Sequence, residues 1–291
     1  MASGILNVNK PAGPSSFGVV RAIRRLPGIT KIGHGGTLDP AAEGVLPVLV
    51  NAATRLADFV HEWPKTYLAT VTLGAVSDTG DSEGRITPSG DPKDITRERI
   101  EEVLPSFTGE IEQVPPLYSA LKQGGEALYR KARRGEIVER PARRVDIEMI
   151  RLIDYDPAAA AARLEVRSGR GMYVRSLAQD LGTALGCGAY LSALTRSAVG
   201  PLTLDTAIPL TTLREMGETW RARLLPLDLP LRGWPALTLD RLTVEAVRRG
   251  QRVPAPASAS GRYRMLDSDG QLIAWGEVDG DKLQPRAVFN G

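Results

Sequence analysis

At 291 residues the chain exceeds one average domain, so one large domain followed by a small one is the expected division. A hydrophobic share of 42% is ample for a core, and a formal charge of +3 hides an uneven distribution along the chain. The single cysteine, Cys187, excludes an intrachain disulfide, and with only His34 and His61 the chain lacks the ligands of a usual Cys/His zinc site. Cys187 sits among small residues and reads as a packed side chain rather than a reactive thiol. No basic N-terminal region precedes a long apolar one, and no apolar run reaches spanning length, so a cytoplasmic protein is expected.

In chain order, residues 4–8 read as a short strand that breaks at the Pro/Gly-rich 9–14. Ser15 or Ser16 then caps a helix running to Arg25, with Phe17, Val20 and Ile23 as its apolar stripe and Arg21, Arg24 and Arg25 outside. Residues 31–48 organise the rest. Gly33, Gly35 and Gly36 permit backbone conformations closed to other residues, and Pro40 stiffens the chain after Asp39, the one carboxylate of residues 31–40. Asp39 is therefore positioned, with a helix cap ahead of Pro40 as its plainer role. Residues 45–60 read as a helix or a strand-helix pair beneath this loop, and residues 65–74 alternate as a strand that Tyr67 opens.

Residues 78–112 hold ten acidic side chains against four basic ones, and this face should point away from any phosphate backbone. Their start suggests a calcium loop only superficially, since it lacks the terminal glutamate of an EF-hand, and a helix is expected over 96–104. Residues 128–144 reverse the sign, with seven basic side chains against two acidic. Tyr118 and Tyr129 interleave those cations, a pattern that suits stacking with backbone neutralisation. A strand over 163–167 leads to a helix that starts near Tyr173 or Val174 and ends at Gly182. Arg175 then lies in the first turn, where the helix dipole disfavours a cation, so an anion should compensate it; Asp180 is the nearby choice. A short helix over 209–216, a linker over 225–230, a helix over 244–250 and a hairpin turning at 267–270 complete the chain.

The string G-H-G-G-T-L-D-P-x-x-x-G-V-L-P-V around Asp39 closely resembles the catalytic motif of the TruB family of tRNA pseudouridine synthases. Four further blocks follow the family order: K-P-x-G-x-S-S from Lys10, K-x-Y at Tyr67, P-P-x-Y-S-A-x-K with L-Y-x-x-A-R-x-G, and G-x-Y-x-R-x-L-A-x-D-L-G at Tyr173 and Arg175. The likeness runs from Lys10 to about Gly200, with Asn9, Tyr190 and Leu202 standing where the family often has Asp, His and an aromatic. It implies an α+β fold with a mixed, largely antiparallel central sheet flanked by helices over 1–230, an RNA-gripping thumb-like insertion at about 115–146, and a small PUA-like β-barrel over 231–291.

The resemblance further implies isomerisation of uridine 55 in the tRNA T-loop without metal or organic cofactor, by a monomer that takes the T-arm stem-loop as its partner. Asp39 is then the nucleophile, Arg175 its partner that keeps it ionised, and Tyr67 a stacking group of the active site. Tyr173 and Leu194 line the uracil pocket, and His34 fills the space the flipped base leaves. Arg130, Lys131, Arg133 and Arg134 are candidate RNA contacts. A non-catalytic RNA-binding or RNA-folding protein, an enzyme acting on another RNA, and a glycosidase using Asp39 with Glu43 are the competing readings.

Overall fold

The computed structural model describes residues 2–118, 122–123, 126–127, 134 and 139–289. The chain opens with β1 (Gly4–Lys10), α1 (Ser16–Ile23), β2 (Ile32–His34) and β3 (Glu43–Val50). A 3-10 turn over Asn51–Leu56 leads to α2 (Ala57–Glu62), then β4 (Lys65–Leu73), β5 (Ala75–Ser77), β6 (Ile86–Pro88) and α3 (Arg97–Val103). β7 (Gly109–Gln113), β8 (Lys122–Gln123), β9 (Glu126–Ala127), β10 (Arg143–Asp156) and β11 (Ala161–Ser168) precede α4 (Val174–Ala184) and β12 (Ala189–Val199). β13 (Leu202–Thr203), β14 (Ile208–Pro209) and α5 (Leu210–Glu215) close the first part. The remainder holds β15 (Ala236–Thr238), α6 (Arg241–Arg248), β16 (Val253–Pro254), β17 (Arg262–Leu266), β18 (Leu272–Asp279) and β19 (Lys282–Val288).

Ten strands form one sheet in the order β14-β1-β3-β12-β4-β11-β10-β7, with β2 and β13 attached to β3 and β12. Only β1 with β14 and β12 with β3 run parallel, so the sheet is mixed and largely antiparallel, as expected. The period-2 pattern of β4 buries Lys65, Ala69, Val71 and Leu73. α4 lays Leu177, Ala178 and Leu181 into the core over β4 and β12, while α1 packs Val19 and Ile23 with Leu6, Leu46 and Val48. The C-terminal part is a five-stranded PUA-like sheet, β15-β17-β18-β19-β16, with α6 upon it.

Residues 43–62 form the strand-helix pair, joined by a 3-10 turn, with β3 buried along nearly its whole length in the sheet. Other local expectations need correction. α4 runs past Gly182: a Cβ there would lie 2.1 Å from the Ala189 amide nitrogen, so this glycine serves close packing. The helix stops at Gly186, whose φ of +78° suits the turn. Residues 225–230 are no free linker. Leu225 exchanges backbone hydrogen bonds with Ile5 at 3.2 and 2.8 Å, and Leu227 and Leu229 pack on the core. Phe17 leaves the apolar stripe of α1 altogether; Ser16, Val19, Val20 and Ile23 are buried and Phe17 is 68% exposed.

Candidate active site

The Asp39 loop is held from three sides. Ser16 Oγ accepts a hydrogen bond from the Leu38 amide at 2.8 Å and donates to the Leu38 carbonyl at 2.9 Å. Lys10, fully buried, donates through Nζ to the carbonyls of Pro11, Pro40 and Ala42. Arg196, also buried, donates to the carbonyls of Gly36 at 3.1 Å, Thr37 at 3.3 Å and Val45 at 2.8 Å. Gly44 admits this clasp: a Cβ there would lie 2.3 Å from the Arg196 carbonyl oxygen. Asp39 therefore sits in a loop pinned on both sides, and no helix begins at Pro40, which removes the cap reading.

The carboxylate faces a cavity of about 340 Å³, lined by Asp39, His61, Lys65, Tyr67, Tyr173, Arg175, Leu194 and Arg196 among others. Sequence spacing explains the wall. Lys65 and Tyr67 project from one face of β4, and Leu194 and Arg196 do the same from β12, where Arg196 stands opposite Tyr67 in the ladder. Tyr173 forms the N-cap position of α4, its amide donating to Gln113 Oε1 at 2.8 Å, and Arg175 follows in the first turn.

The anion that Arg175 needs is supplied by two carboxylates. Arg175 Nε lies 3.0 Å from Asp39 Oδ2 and its Nη1 3.5 Å from Asp81 Oδ2, and the carbonyls of Thr79 and Tyr118 accept its other protons at 3.2 and 3.0 Å. Asp180 is not among these partners. Asp81 comes from the acidic segment expected to face away, so part of that segment builds the site; Thr79 Oγ1 donates to Asp81 at 2.6 Å and fixes it.

Arg175 favours the charged form of Asp39, as expected of a pairing cation, and other groups act on it too. Burial lifts the Asp39 carboxyl above its ordinary value and Asp81 adds to the lift, while Arg175 and Lys10 oppose it. Burial also pushes Lys10 and Lys65 down to about 8, where Lys65 Nζ donates to the His61 carbonyl. Arg196 is lowered by burial, with the Tyr67 hydroxyl favouring its charged form.

Three family models cover most of the chain. "TruB family pseudouridylate synthase (N terminal domain)" matches residues 24–174, "tRNA pseudouridylate synthase B C-terminal domain" residues 175–232, and "Pseudouridine synthase II TruB, C-terminal" residues 235–289. The tRNA pseudouridine synthase B of Xanthomonas campestris pv. campestris (strain B100) is 42% identical over 292 residues, covering 99% of this chain and 94% of its own. The chain belongs to the TruB family of pseudouridylate synthases.

The protein of the same name from Syntrophomonas wolfei is also 42% identical, over 98% of both chains. Among solved structures, a Cbf5-Nop10-Gar1 complex matches with a TM-score of 0.74 at 28% identity, over 99% of this chain and 85% of that one. Within this TruB-family chain, Asp39, Tyr67, Tyr173, Arg175 and Leu194 meet in one cavity. His34 stands one step behind it: the His61 ring, which lines the cavity, contacts the His34 carbonyl at 3.3 Å, and His34 Nδ1 accepts from the Gly36 amide at 3.4 Å. Burial pushes the His34 ring below its ordinary value. Arg130, Lys131 and Arg133 lie outside the described residues, whereas Arg134 is an exposed turn residue.

Lys65, His61, Asp81 and Arg196 received no role from the sequence. Period-2 spacing from Tyr67 and from Leu194 was the available signal for Lys65 and Arg196. Asp81 had none, because its approach depends on a bridge between that turn and Leu191.

Proposed function

We propose that the cavity receives uridine 55 flipped from the T-loop of tRNA and that Asp39 is the nucleophile of its conversion to pseudouridine. A pinned carboxylate facing an aromatic-walled cavity, with a buried arginine 3.0 Å away, carries this reading. A uridine inside a folded loop must leave its stack to reach such a group. Tyr67 and Tyr173 offer ring faces to the base, and Leu194 offers apolar contact. His34, on β2, fills in this reading the space that the flipped base leaves in the RNA.

Breaking the bond from N1 to the anomeric carbon sends the electron pair to uracil and leaves positive charge on the sugar. Asp39 stabilises or captures that carbon. The base turns, C5 bonds to the same carbon as any bond to Asp39 breaks, and the proton lost from C5 is matched by one gained at N1, so the product is an isomer and no external oxidant or reductant enters. In this reading the protein acts as a monomer in the cytoplasm. Residues 231–291 serve in this reading as an RNA-binding domain and residues 115–146 as the RNA-gripping insertion.

Asp39→Asn is the test. Pseudouridine formation in a T-arm stem-loop is expected to vanish while the thermal melt and the binding of the same RNA persist. Turnover near the parent rate in the folded, RNA-bound variant would make Asp39 a structural residue and leave a binding or RNA-folding role.

A further inference from the structure

The outer face of α1 is unaccounted for by the cavity. Phe17 is 68% exposed, and Tyr118 is the one other exposed aromatic among the described residues. An exposed phenylalanine ring leaves apolar surface in water and contributes nothing to the core, where Val19, Val20 and Ile23 fill the inward side. Arg21, Arg24 and Arg25 are exposed as well, and none of their guanidinium groups has an ion-pair or hydrogen-bond partner among the described residues. Some arginines elsewhere in the catalytic part find carboxylates, as Arg97 does with Glu101, Arg99 with Glu102, Arg151 with Glu165 and Arg167 with Glu148, whereas Arg85, Arg163, Arg214 and Arg223 are exposed without an ion pair among the described residues. On α1 and directly after it, three such arginines stand together with an exposed aromatic ring.

Helical spacing puts Phe17, Arg21 and Arg24 on one stripe, with Arg25 at its side. The stripe starts at the active site. Ser16, next to Phe17, grips Leu38, and the Gly13 amide donates to the Pro40 carbonyl at 2.9 Å, so the first turn of α1 is fastened to both neighbours of Asp39. Arg21 follows one turn on, about 6 Å along the axis from Phe17, and Arg24 and Arg25 come directly after the helix ends at Ile23. One exposed ring beside the catalytic loop, followed by a row of unpaired cations, matches a nucleic acid strand with one unpaired base and a trailing phosphate backbone.

We infer that the outer face of α1 is a contact surface for the RNA substrate, with an unpaired base stacked on Phe17 and phosphates lying along Arg21, Arg24 and Arg25. This rests on the proposal that the substrate is tRNA. An aromatic ring is needed for stacking, whereas a protein partner docking on Phe17 would accept any large apolar side chain. The charges favour RNA, since a polyanion pairs with all three guanidinium groups at once.

The test uses the full chain and tRNA, with Phe17→Leu, Phe17→Trp and the triple variant R21Q/R24Q/R25Q. Phe17→Leu is expected to weaken tRNA binding by about 5- to 150-fold, the worth of one stacked base, and Phe17→Trp to restore it. The triple variant should flatten the log-log salt dependence of binding by about 0.7 to 0.9 for each phosphate it no longer neutralises. All these side chains face water, so melts should stay at the parent value, and single-turnover rates at saturating enzyme should change little. Unchanged affinity in Phe17→Leu, equal affinity of the Leu and Trp variants, or an unchanged salt slope in the triple variant would overturn the inference. Those results leave pseudouridine formation by the parent protein intact, whereas a parent that forms none in tRNA refutes the substrate proposal itself.

Discussion

Two arginines line the same cavity at the same depth and have opposite surroundings. Arg175 is 4% exposed and faces two carboxylates, Asp39 and Asp81; Arg196 is 1% exposed and faces backbone carbonyls and the Tyr67 hydroxyl. A guanidinium among carboxylates adjusts their charge, whereas one among carbonyls fixes the course of the backbone. Burial and type alone would not separate them. The partners do: Arg196 holds the backbone of the loop, and Arg175 touches the carboxylate that the proposed mechanism uses.

Replacing each arginine should expose the division. Arg196→Met leaves the carbonyls of Gly36, Thr37 and Val45 unpaired in the interior, a loss of about 3 kcal/mol or more at about 1–3 kcal/mol per unsatisfied group. A thermal melt should record this as a fall of roughly 6–12 °C. A melt unchanged from the parent would put Arg196 on the chemical side of the comparison.

Arg175→Lys keeps a cation but loses the planar fork that reaches both carboxylates and two carbonyls. Its turnover should fall about 100-fold through misplacement of Asp39, with a much smaller loss of stability than in Arg196→Met. The acid side of its rate profile sharpens the point. In the proposed mechanism Asp39 acts as a carboxylate, and its folded value is already raised, so parent activity should fade on acidification at a higher pH than an ordinary aspartate of 3.8 would give. Weakening Arg175 removes a group that favours the charged form, so the fade moves further up.

Asp81→Asn should move it the other way. Asp81 disfavours the charge on Asp39, so its neutralisation lowers the Asp39 value and carries activity to lower pH. Burial and Arg175 both weigh on Asp39 more than Asp81 does, so the shift should be modest. An upward shift would show that Asp81 acts mainly by orienting Arg175. Tyr67→Phe should have the smallest effect on stability, about 1 kcal/mol for one lost hydrogen bond to Arg196. Its melt measures how far the two walls depend on one another.

The sequence discloses whatever depends on periodicity or local chemistry. The strand at 65–73, the Ser15 cap, the hairpin around 267–270 and the loop carrying Asp39 all appear where the residues place them. Contacts that join distant segments were hidden. Lys10 looks like the first residue of a turn and proves to be a buried clamp, because the carbonyls it holds are brought to it by the pairing of β1 with β3. Asp81 looked like one charge in a solvated run. Phe17 fits a helical apolar stripe in the sequence, yet tertiary packing rotates that stripe onto Ser16 and Val19, which frees the ring.

The order in which these clamps are made has its own consequence. Gly36 precedes its Arg196 clamp by 160 residues, so a ribosome working at about 5–20 residues per second makes the loop roughly 8–32 s before the side chain that secures it. β1 likewise waits for β14, whose Ile208 lies beside Val8, and Ile5 waits for Leu225. The carboxylate is among the first groups to be synthesised and among the last to be set in place. A nascent chain therefore carries Asp39 before the contacts that fix its loop can form.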